Sequence, residues 1–252
     1  MPAKAALVTG AAHRIGRALA LGLAVHGTRV GVHYNRSKDA AEALVNEINQ
    51  AGGTAVALQA DLEDEAQFET LVPRATEALG PLDLLINNAS LFEYDSAQSA
   101  TRQSWDRHMT ANLRAPLVLS QHFAKALPEG RDGLIVNLID QRVWALTPHF
   151  TSYTLSKAGL WTLTQTLAQA LAPQIRVNAI GPGPTLRNQR QSEEHFARQQ
   201  QGVILKRGPE LSEFVEAVHF LWTARSMTGQ MIALDGGQHL GWETPDIQGI
   251  DE

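Results

Sequence analysis

Tyr153 and Lys157 stand four residues apart in a segment with helical periodicity. Side chains at this spacing lie on one face of a helix. A free tyrosine has a pKa of about 10 and is a reluctant acid near neutral pH. A neighbouring ammonium stabilises the phenolate, lowers its pKa and makes proton transfer practicable. The pair therefore predicts a catalytic tyrosine assisted by a lysine, and an ordinary surface pair on a helix is the alternative.

A glycine-bearing turn, Thr9–Gly16, lies between the first predicted strand and the first predicted helix. Glycine permits a tight turn and close backbone approach, and a helix N-terminus presents free N–H groups to a diphosphate. This arrangement predicts a dinucleotide site, with a turn that holds no ligand as the alternative. The residues assigned to it are Gly10, His13, Arg14, Ile15 and Gly16.

The end of the second predicted strand indicates which dinucleotide binds. NAD-binding folds usually place Asp or Glu there to hold the ribose 2′-hydroxyl. This chain has no carboxylate at that point, and Arg36 and Ser37 can hold a 2′-phosphate. The sequence therefore favours NADPH, with a solvated surface turn as the alternative. The residues assigned to this region are His33, Tyr34, Asn35, Arg36 and Ser37.

Two further strand ends carry residues suited to the rest of a dinucleotide. Asp61 and Leu62 follow the third predicted strand, where a carboxylate can accept a hydrogen bond from the adenine amino group. Asn88, Ala89 and Ser90 follow the fourth, where small and amide residues let the backbone pass close to the ribose. An ordinary strand-end turn is the alternative for each segment.

Short apolar, β-branched runs alternate along the chain with amphipathic segments. Strands that are apolar on both faces predict the fold class α/β, with a doubly wound parallel sheet (Rossmann) in a single domain. The predicted strands are Ala5–Thr9, Thr28–Tyr34, Thr54–Gln59, Leu82–Asn87, Gly133–Ile139, Ile175–Ile180 and Met231–Asp235. The predicted helices are Ile15–His26, Lys38–Ala51, Glu63–Leu79, Ser104–Leu127, Thr151–Ala172, Ser192–Gly202 and Glu210–Thr223.

No repeat or linker divides the chain, so residues 1–252 are predicted to form one catalytic domain. The least regular stretch follows the sixth strand and begins a predicted substrate loop at about 181–202. Ligands bind beyond the carboxyl ends of the strands in such folds, which makes this loop a candidate lid. Pro182 and Gly183 are assigned to the cofactor and Leu186 to the substrate.

The composition excludes several classes of protein. The formal charge of −5 gives no sign of the basic surface that a nucleic-acid-binding protein needs. The absence of cysteine excludes disulfides and a catalytic thiol. The nine histidines show no metal-ligand spacing, so no metal site is expected. Without a signal peptide or a run of apolar residues that could span a bilayer, a cytoplasmic protein with no membrane partner is expected.

Taken in order, the motifs resemble those of the short-chain dehydrogenase/reductase family over nearly the whole chain. The segments that carry the resemblance are Thr9–Gly16, Asn87–Ser90, Asn112, Tyr153 with Lys157, Arg176–Gly183, Thr228–Gln230 and Asp235–Gly237. The resemblance implies that Asn112 supports a water relay and that Lys157 also holds the nicotinamide ribose. It further implies a homotetramer that assembles through the helices around Ser104–Leu127 and Thr151–Ala172.

Three departures from the usual family pattern resemble the pteridine reductases. Arg14 stands in the nucleotide turn where a small residue is commoner, and Ser90 ends the Asn-Asn-Ala segment. Asp140 occupies the position usually held by a catalytic serine, thirteen residues before Tyr153. The stretch from Asp140 to Lys157 and the closing Asp235–Leu240 also resemble bacterial dihydromonapterin reductases.

The exchange of serine for aspartate changes what the site can recognise. A hydroxyl donates a hydrogen bond to a substrate carbonyl, whereas an ionised carboxylate only accepts. Asp140 would repel a ketone oxygen but suits the ring N–H and amino donors of a pterin, or carries a proton to a ring nitrogen if its pKa is raised. The alternative is that Asp140 caps a turn.

Other residues are candidates for holding a flat heteroaromatic ring. Phe92 is expected to form one face of a stacking slot, with core packing as the alternative. Arg14 is expected to meet the pterin 4-oxo group or a cofactor phosphate, and Ser90 and Trp144 are also assigned to the substrate. Arg187 and Arg190 leave room for an anionic tail such as the glutamate of folate.

The sequence therefore predicts NADPH-dependent reduction of a dihydropterin, such as dihydromonapterin or dihydrobiopterin, or of dihydrofolate. Hydride passes to a ring C=N bond, Tyr153 supplies or relays the proton with the help of Lys157, and Asp140 orients the ring. Two alternatives stay open. One is an NADPH-dependent carbonyl reductase of the 3-oxoacyl type, and the other is a non-catalytic NADPH sensor.

Overall fold

The central sheet has seven strands in the order β3-β2-β1-β4-β5-β6-β7, and all neighbours pair in parallel. The structure is a computed structural model that describes residues 3–187 and 191–242. The strands are β1 Ala5–Val8, β2 Arg29–Tyr34, β3 Ala55–Gln59, β4 Leu84–Asn87, β5 Gly133–Leu138, β6 Ile175–Pro182 and β7 Met231–Leu234. The predicted doubly wound parallel sheet is confirmed.

Helices cover both faces of the sheet. Within the described residues they are α1 Arg14–Val25, α2 Lys38–Gln50, α3 Glu65–Phe68, α4 Leu71–Leu79, α5 Arg102–Met109, α6 Ala115–Ala126, α7 Thr151–Ala170, α8 Glu193–Gln201 and α9 Leu211–Thr223. Successive residues of a strand point to opposite faces. Ala6 and Val8 accordingly pack in the core layer under α1, α2 and α9, whereas Ala5 and Leu7 pack under α4, α6 and α7.

Two helices predicted as continuous are interrupted, each near a proline. The segment predicted as Glu63–Leu79 forms α3 and α4, because the ring of Pro73 disfavours helix through the residue four positions earlier. The segment predicted as Ser104–Leu127 forms α5 and α6, joined by a π-helical stretch, Thr110–Arg114. Pro116 has no N–H to donate to the carbonyl of Asn112, which favours a break in the regular pattern there.

The switch in strand order between β1 and β4 opens a crevice at the carboxyl ends of the strands. Chain connections leave β1 and β4 on opposite sides of this point, which is where doubly wound sheets bind ligands. The predicted chemical residues follow β1, β2, β3, β4, β5 and β6 and therefore converge at one edge. Among the residues that the structure describes, no helix is long and apolar enough to cross a membrane.

We expect the contact between α9 and the sheet to carry a large share of the stability. Phe214 is fully buried in the layer beneath α1 and α9, whereas Phe220 on the same helix is 48% exposed. Phe214→Ala should lower the free energy of unfolding by about 3–5 kcal/mol, because truncation leaves a cavity. The matched variant Phe220→Ala should change it by less than about 1 kcal/mol. Urea denaturation of both variants measures the difference, and equal losses would contradict this account.

Candidate active site

A cavity of about 1070 Å³ occupies the carboxyl edge of the sheet. It gathers most of the predicted residues from six strand ends. Those that line it are Gly10, His13, Arg14, Ile15, Gly16, His33, Asn35, Asp61, Leu62, Asn88, Ala89, Ser90, Phe92, Asp140, Tyr153, Lys157, Pro182, Gly183 and Leu186. Within residues 3–187 and 191–242, no group of three or more His, Asp or Glu side chains is placed to hold a metal ion.

The turn after β1 is held in a shape that suits a diphosphate. Gly10 has a φ of +61°, and a Cβ on Gly16 would lie only 2.3 Å from the carbonyl oxygen of Gly10. Gly10 is therefore required by its positive φ, and Gly16 by the close packing of α1 against the turn. His13 precedes α1 without a side-chain cap hydrogen bond, so the first N–H groups of the helix remain for an anion. The turn fits the dinucleotide that the sequence predicts.

His33 supports this turn with its ring nitrogens. The Gly10 N–H donates to His33 Nδ1 at 3.0 Å, and His33 Nε2 lies 3.0 Å from the carbonyl oxygen of Ala60. Burial lowers the pKa of His33 to about 4, so the ring is neutral near pH 7. A neutral ring with the proton on Nε2 satisfies both contacts. Although His33 lines the cavity, its nitrogens serve the backbone and are not available to a 2′-phosphate.

Of the other residues predicted to bind the 2′-phosphate, only Asn35 is among the residues that line the cavity. Asn35 lines the cavity and is exposed. Tyr34 packs against the hydrophobic layer under α1 and α2, and its contact with the cofactor stays a prediction. Arg36 and Ser37 continue the chain beyond Asn35 and do not line the cavity, and their contact with a 2′-phosphate stays a prediction.

Asn88 ties the ends of β1 and β4 together. Its amide Nδ2 donates to the carbonyl oxygens of Thr9 at 2.8 Å and Gly10 at 3.2 Å. In return, Thr9 Oγ1 accepts from the N–H groups of Asn88 at 2.9 Å and Ala89 at 3.0 Å. These bonds use both N–H donors of the Asn88 amide, which therefore shapes the cofactor site.

Tyr153 and Asp140 form a direct hydrogen bond. The Tyr153 hydroxyl donates to Asp140 Oδ2 at 2.9 Å, while Asp140 Oδ1 accepts from the Arg142 N–H at 2.8 Å. The carboxylate thus caps a short 3₁₀ turn, Gln141–Val143, and contacts the phenol as well. The two interpretations of Asp140 from the sequence are therefore compatible, because one carboxylate oxygen caps the turn and the other contacts Tyr153.

The pKa of Tyr153 moves in the direction opposite to the expectation from its neighbour Lys157. Burial raises the pKa of the phenol well above its ordinary value, and the charge and hydrogen bond of Asp140 raise it further. Arg142 and a hydrogen bond from Ser90 act in the opposite direction and do not reverse this. Tyr153 therefore keeps its proton throughout the neutral range, and its hydroxyl donates a hydrogen bond to Asp140.

Lys157 is buried beside Tyr153 but does not bond to its hydroxyl. Its Nζ donates to the carbonyl oxygen of Leu138 at 2.8 Å and lies 5.9 Å from the centre of the Tyr153 ring. Burial lowers the pKa of Lys157 to about 8, and the Asp140 charge opposes that shift. The expected lowering of the tyrosine pKa by lysine is therefore not found, because desolvation and the Asp140 carboxylate raise that pKa.

Asn112 lies in the π-helical stretch, and its whole side chain is engaged. Nδ2 donates to the Leu91 carbonyl oxygen at 2.9 Å and to Ser156 Oγ at 3.0 Å. Oδ1 accepts from the Leu91 N–H at 2.8 Å and from Ser90 Oγ at 3.3 Å. The side chain joins the segment after β4 to α7 and has no capacity left for a water. A relay through Asn112 would have to use its backbone.

An aromatic wall borders the reactive pair. Phe92 stacks on Phe150 with ring centres 4.4 Å apart and meets Tyr153 edge-on at 4.6 Å. The guanidinium of Arg142 lies 5.1 Å from the centre of the Phe150 ring. Phe92, Phe150 and Arg142 all line the cavity, so Phe92 is placed to face a ligand. The sequence analysis missed Phe150 and Arg142, although both lie within three residues of a predicted catalytic residue.

Arg14 connects the nucleotide turn to the predicted substrate loop. Its Nη1 and Nη2 donate to the carbonyl oxygens of Arg187 and Leu186, each at 2.8 Å. These two donors hold the loop, which leaves less of the guanidinium for a pterin oxo group or a phosphate than the sequence suggested. Arg187 is exposed and donates to the Gln191 carbonyl oxygen at 2.8 Å. Arg190 lies outside the described residues.

Trp144 does not line the cavity, and its assignment to the substrate stays a prediction. Its ring meets Trp161 at 6.1 Å between centres and His239 at 5.1 Å, and the side chain is 42% exposed. Trp242 is 72% exposed and does not line the cavity either.

Known proteins share this architecture and much of the sequence. The 3-oxoacyl-[acyl-carrier-protein] reductase FabG of Staphylococcus epidermidis is 33% identical over 242 residues, which cover 94% of this chain and 99% of the relative. The crystal structure of FolM, alternative dihydrofolate reductase 1 from Brucella canis complexed with NADP, is 56% identical. It superposes with a TM-score of 0.94 over 96% of each chain.

Ketoreductases are similar to a lesser degree. The promiscuous reductase LugOII, which catalyses keto-reduction at C1 during lugdunomycin biosynthesis, is 32% identical and has a TM-score of 0.87 over 94% of this chain and 98% of its own. The family model of the short chain dehydrogenases matches residues 4–197. The motifs, the parallel sheet with its crevice and these similarities together show that the chain belongs to the short-chain dehydrogenase/reductase family.

Proposed function

We propose that the protein is an NADPH-dependent reductase of a dihydropterin. The observation that carries the proposal is the hydrogen bond of 2.9 Å between the Tyr153 hydroxyl and the Asp140 carboxylate beside the Phe92–Phe150 wall. A carboxylate at this position accepts hydrogen bonds and repels a carbonyl oxygen. The site is therefore better suited to a flat ring that carries N–H and amino donors than to a ketone.

The cofactor end of the cavity supports NADPH. The glycine turn, the uncapped start of α1 and the absence of a carboxylate from the end of β2 suit a dinucleotide with a 2′-phosphate. NADP is present in the FolM structures from Brucella canis and Brucella suis. When bound, the reduced nicotinamide supplies the hydride. Lys157, buried at the centre of the cavity wall, is the residue that would hold the nicotinamide ribose.

The protein residues supply orientation and the balancing proton. Tyr153 is protonated near neutral pH, and it would release its proton to the ring nitrogen as hydride reaches the carbon of the C=N bond. The phenolate would then regain a proton from solvent. Asp140 accepts hydrogen bonds from the ring donors and fixes which edge of the ring faces Tyr153. Phe92 covers one face of the ring, which excludes water from the reacting bond and aligns it.

A carbonyl reductase of the 3-oxoacyl type is the second candidate. Its support is the similarity to FabG at 33% identity and to ketoreductases at similar levels. The identity of 56% to FolM is much higher, which favours the pteridine proposal. A non-catalytic NADPH sensor is the third candidate, and the paired Tyr153 and Asp140 argue against it, because binding alone has no need of them.

We also propose a cytoplasmic homotetramer. A groove of about 620 Å³ runs between the helical region 106–117 and α7. Its apolar lining includes Leu113, Leu117 and Leu163, and it lies on the two helices through which the family resemblance implies assembly. Burial of this lining against a second copy would remove apolar surface from water. Light scattering coupled to gel filtration measures the number of subunits.

The substrate class is tested by NADPH oxidation with a panel of acceptors. Dihydromonapterin, dihydrobiopterin and dihydrofolate are compared with a simple β-keto ester. We expect at least one pterin or folate to be reduced with a kcat/KM at least about 100-fold above that of the keto ester, since Asp140 opposes a ketone oxygen. Turnover of the keto ester alone would overturn the pteridine proposal, and tight binding of NADPH without any turnover would favour the sensor.

The role of Asp140 is tested by exchange of its carboxylate. Asp140→Asn and Asp140→Ser should lower kcat/KM for the pterin by about 10- to 150-fold, which corresponds to loss of a hydrogen bond to a charged group. Asp140→Ser should also raise turnover of the keto ester, because the hydroxyl can donate. The matched control is Asp132→Asn, an exposed carboxylate paired with Arg225, which should leave both rates unchanged. Wild-type pterin turnover in both Asp140 variants would remove Asp140 from the mechanism.

The protonation of Lys157 predicts that kcat/KM for NADPH depends on pH. With a pKa of about 8, Lys157 is an ammonium below that pH and a neutral amine above it. We expect kcat/KM for NADPH, which reports the free enzyme, to fall as the pH rises through about 8. The raised pKa of Tyr153 keeps the phenol protonated in this range, so it adds no second limb. A profile that stays flat to about pH 9.5 would contradict the assignment.

A further inference from the structure

The helix that carries Tyr153 begins without a capping side chain of its own. Phe150 occupies the N-cap position of α7, with a φ of +60° and no side-chain cap hydrogen bond. Helices usually begin at Ser, Thr, Asp or Asn, whose side-chain oxygen accepts from the first free N–H groups. Phenylalanine has no such oxygen, so the start of α7 must be satisfied by another part of the chain.

Asp95, 57 residues away from Ser152 in sequence, supplies the missing acceptors. Its Oδ1 accepts from the Ser152 N–H at 3.0 Å. Its backbone carbonyl oxygen accepts from the N–H groups of Phe150 at 2.8 Å and Thr151 at 3.4 Å. Three donors at the beginning of the catalytic helix therefore end on one residue of the segment that follows β4, and the carboxylate also lies where a helix dipole favours negative charge.

Solvent cannot replace these contacts without a rearrangement. Asp95 is 2% exposed and Ser152 is fully buried. The second carboxylate oxygen of Asp95 accepts from Ser104 Oγ at 2.9 Å, which fixes its direction. Burial by itself raises the pKa of Asp95, but the hydrogen bonds from Ser152 and Ser104 outweigh it and hold the pKa below its ordinary value. Asp95 is therefore ionised near pH 7.

The same contacts set the geometry of the reactive site. Tyr153 follows Ser152 directly, in the first turn of α7, and its hydroxyl must stay 2.9 Å from Asp140 Oδ2. Phe150, whose N–H bonds to Asp95, forms the stack with Phe92 at 4.4 Å. An unwound first turn would displace the phenol and one ring of the aromatic wall together. Lys157 lies one turn further along and would be less affected.

We propose that Asp95 is a positioning residue, which caps α7 from outside the helix and so holds Tyr153 against Asp140. Asp95 does not touch the reacting atoms, and it acts through Tyr153 and Phe150. The inference rests on the proposed role of Tyr153 as proton donor. It goes beyond that role because it assigns catalytic geometry to a residue outside the cavity lining.

Three substitutions separate a positioning role from loss of folding. Asp95→Ala removes the side-chain acceptor of the Ser152 N–H, keeps the backbone carbonyl, and should lower kcat by about 10- to 100-fold, with the dissociation constant of NADPH within about twofold of wild type. Asp95→Asn keeps an oxygen for the Ser152 N–H and should restore kcat to within about threefold. Asp95→Ser stays polar but is too short to reach Ser152, and should resemble Asp95→Ala. The matched control Glu210→Ala removes an acidic cap from α9, away from the cavity, and should leave kcat unchanged.

A double-mutant cycle tests whether Asp95 acts through Tyr153. In a Tyr153→Phe background, Asp95→Ala should cause less than about a twofold further loss, because the displaced hydroxyl is already absent. A general structural role predicts instead that the two losses multiply. Hydrogen exchange adds a readout without substrate: amides at the start of α7 should exchange faster in Asp95→Ala, and those of α9 should not.

The outcomes of the two proposals can be distinguished. Failure of the wild-type enzyme to reduce any pterin would overturn the proposed function, whatever the Asp95 variants do to exchange at the start of α7. Wild-type kcat in Asp95→Ala, or losses that multiply with Tyr153→Phe, would overturn the positioning role and leave the proposed function standing. Retained kcat in Asp95→Asn together with the loss in Asp95→Ala and Asp95→Ser would establish it.

Discussion

A parallel sheet that is buried on both faces leaves only the ends of its strands open to a ligand. Helices on each side cover the alternating residues of β1, so neither face can present chemistry to solvent. All strands run in the same direction, and their carboxyl ends meet at one edge. The nucleotide turn, Asp140 and the segment after β6 therefore share one cavity although they are far apart in sequence. The position of the site follows from the parallel sheet, and the side chains at the strand ends determine its chemistry.

Within that cavity, low solvent access determines the protonation states. Burial raises the pKa of Tyr153, lowers that of Lys157 to about 8 and lowers that of His33 to about 4. Each shift favours the neutral form, as desolvation requires. A neutral phenol beside the Asp140 carboxylate gives the site one donor and one acceptor side by side. This combination is the observation on which the proposed preference for a pteridine over a ketone rests.

The loops around the site are held by side-chain hydrogen bonds. Asn88, Asn112 and His33 bond to backbone groups of the segments that follow the strands, and Asn112 also bonds to Ser90 and Ser156. Such bonds in a buried setting are costly to break, so they fix the loops that the sheet leaves free. Asp95 extends the same principle to the start of α7. The side chains proposed for the reaction thus lie on segments that these hydrogen bonds hold in place.

The sequence by itself determined the alternation of strands and helices, the glycine turn, the spacing of Asp140, Tyr153 and Lys157, and the family. These are local patterns, because they follow from periodicity and from the backbone needs of glycine. The interruptions of two helices near Pro73 and Pro116 could also have been predicted from the sequence. Tertiary structure alone decided that Trp144 packs against Trp161 and His239, that Phe150 stacks on Phe92 and that Asp95 caps α7. It also set the direction of each pKa shift, because burial and contacts across 57 residues of chain depend on how distant segments pack and leave no periodic signal in the sequence.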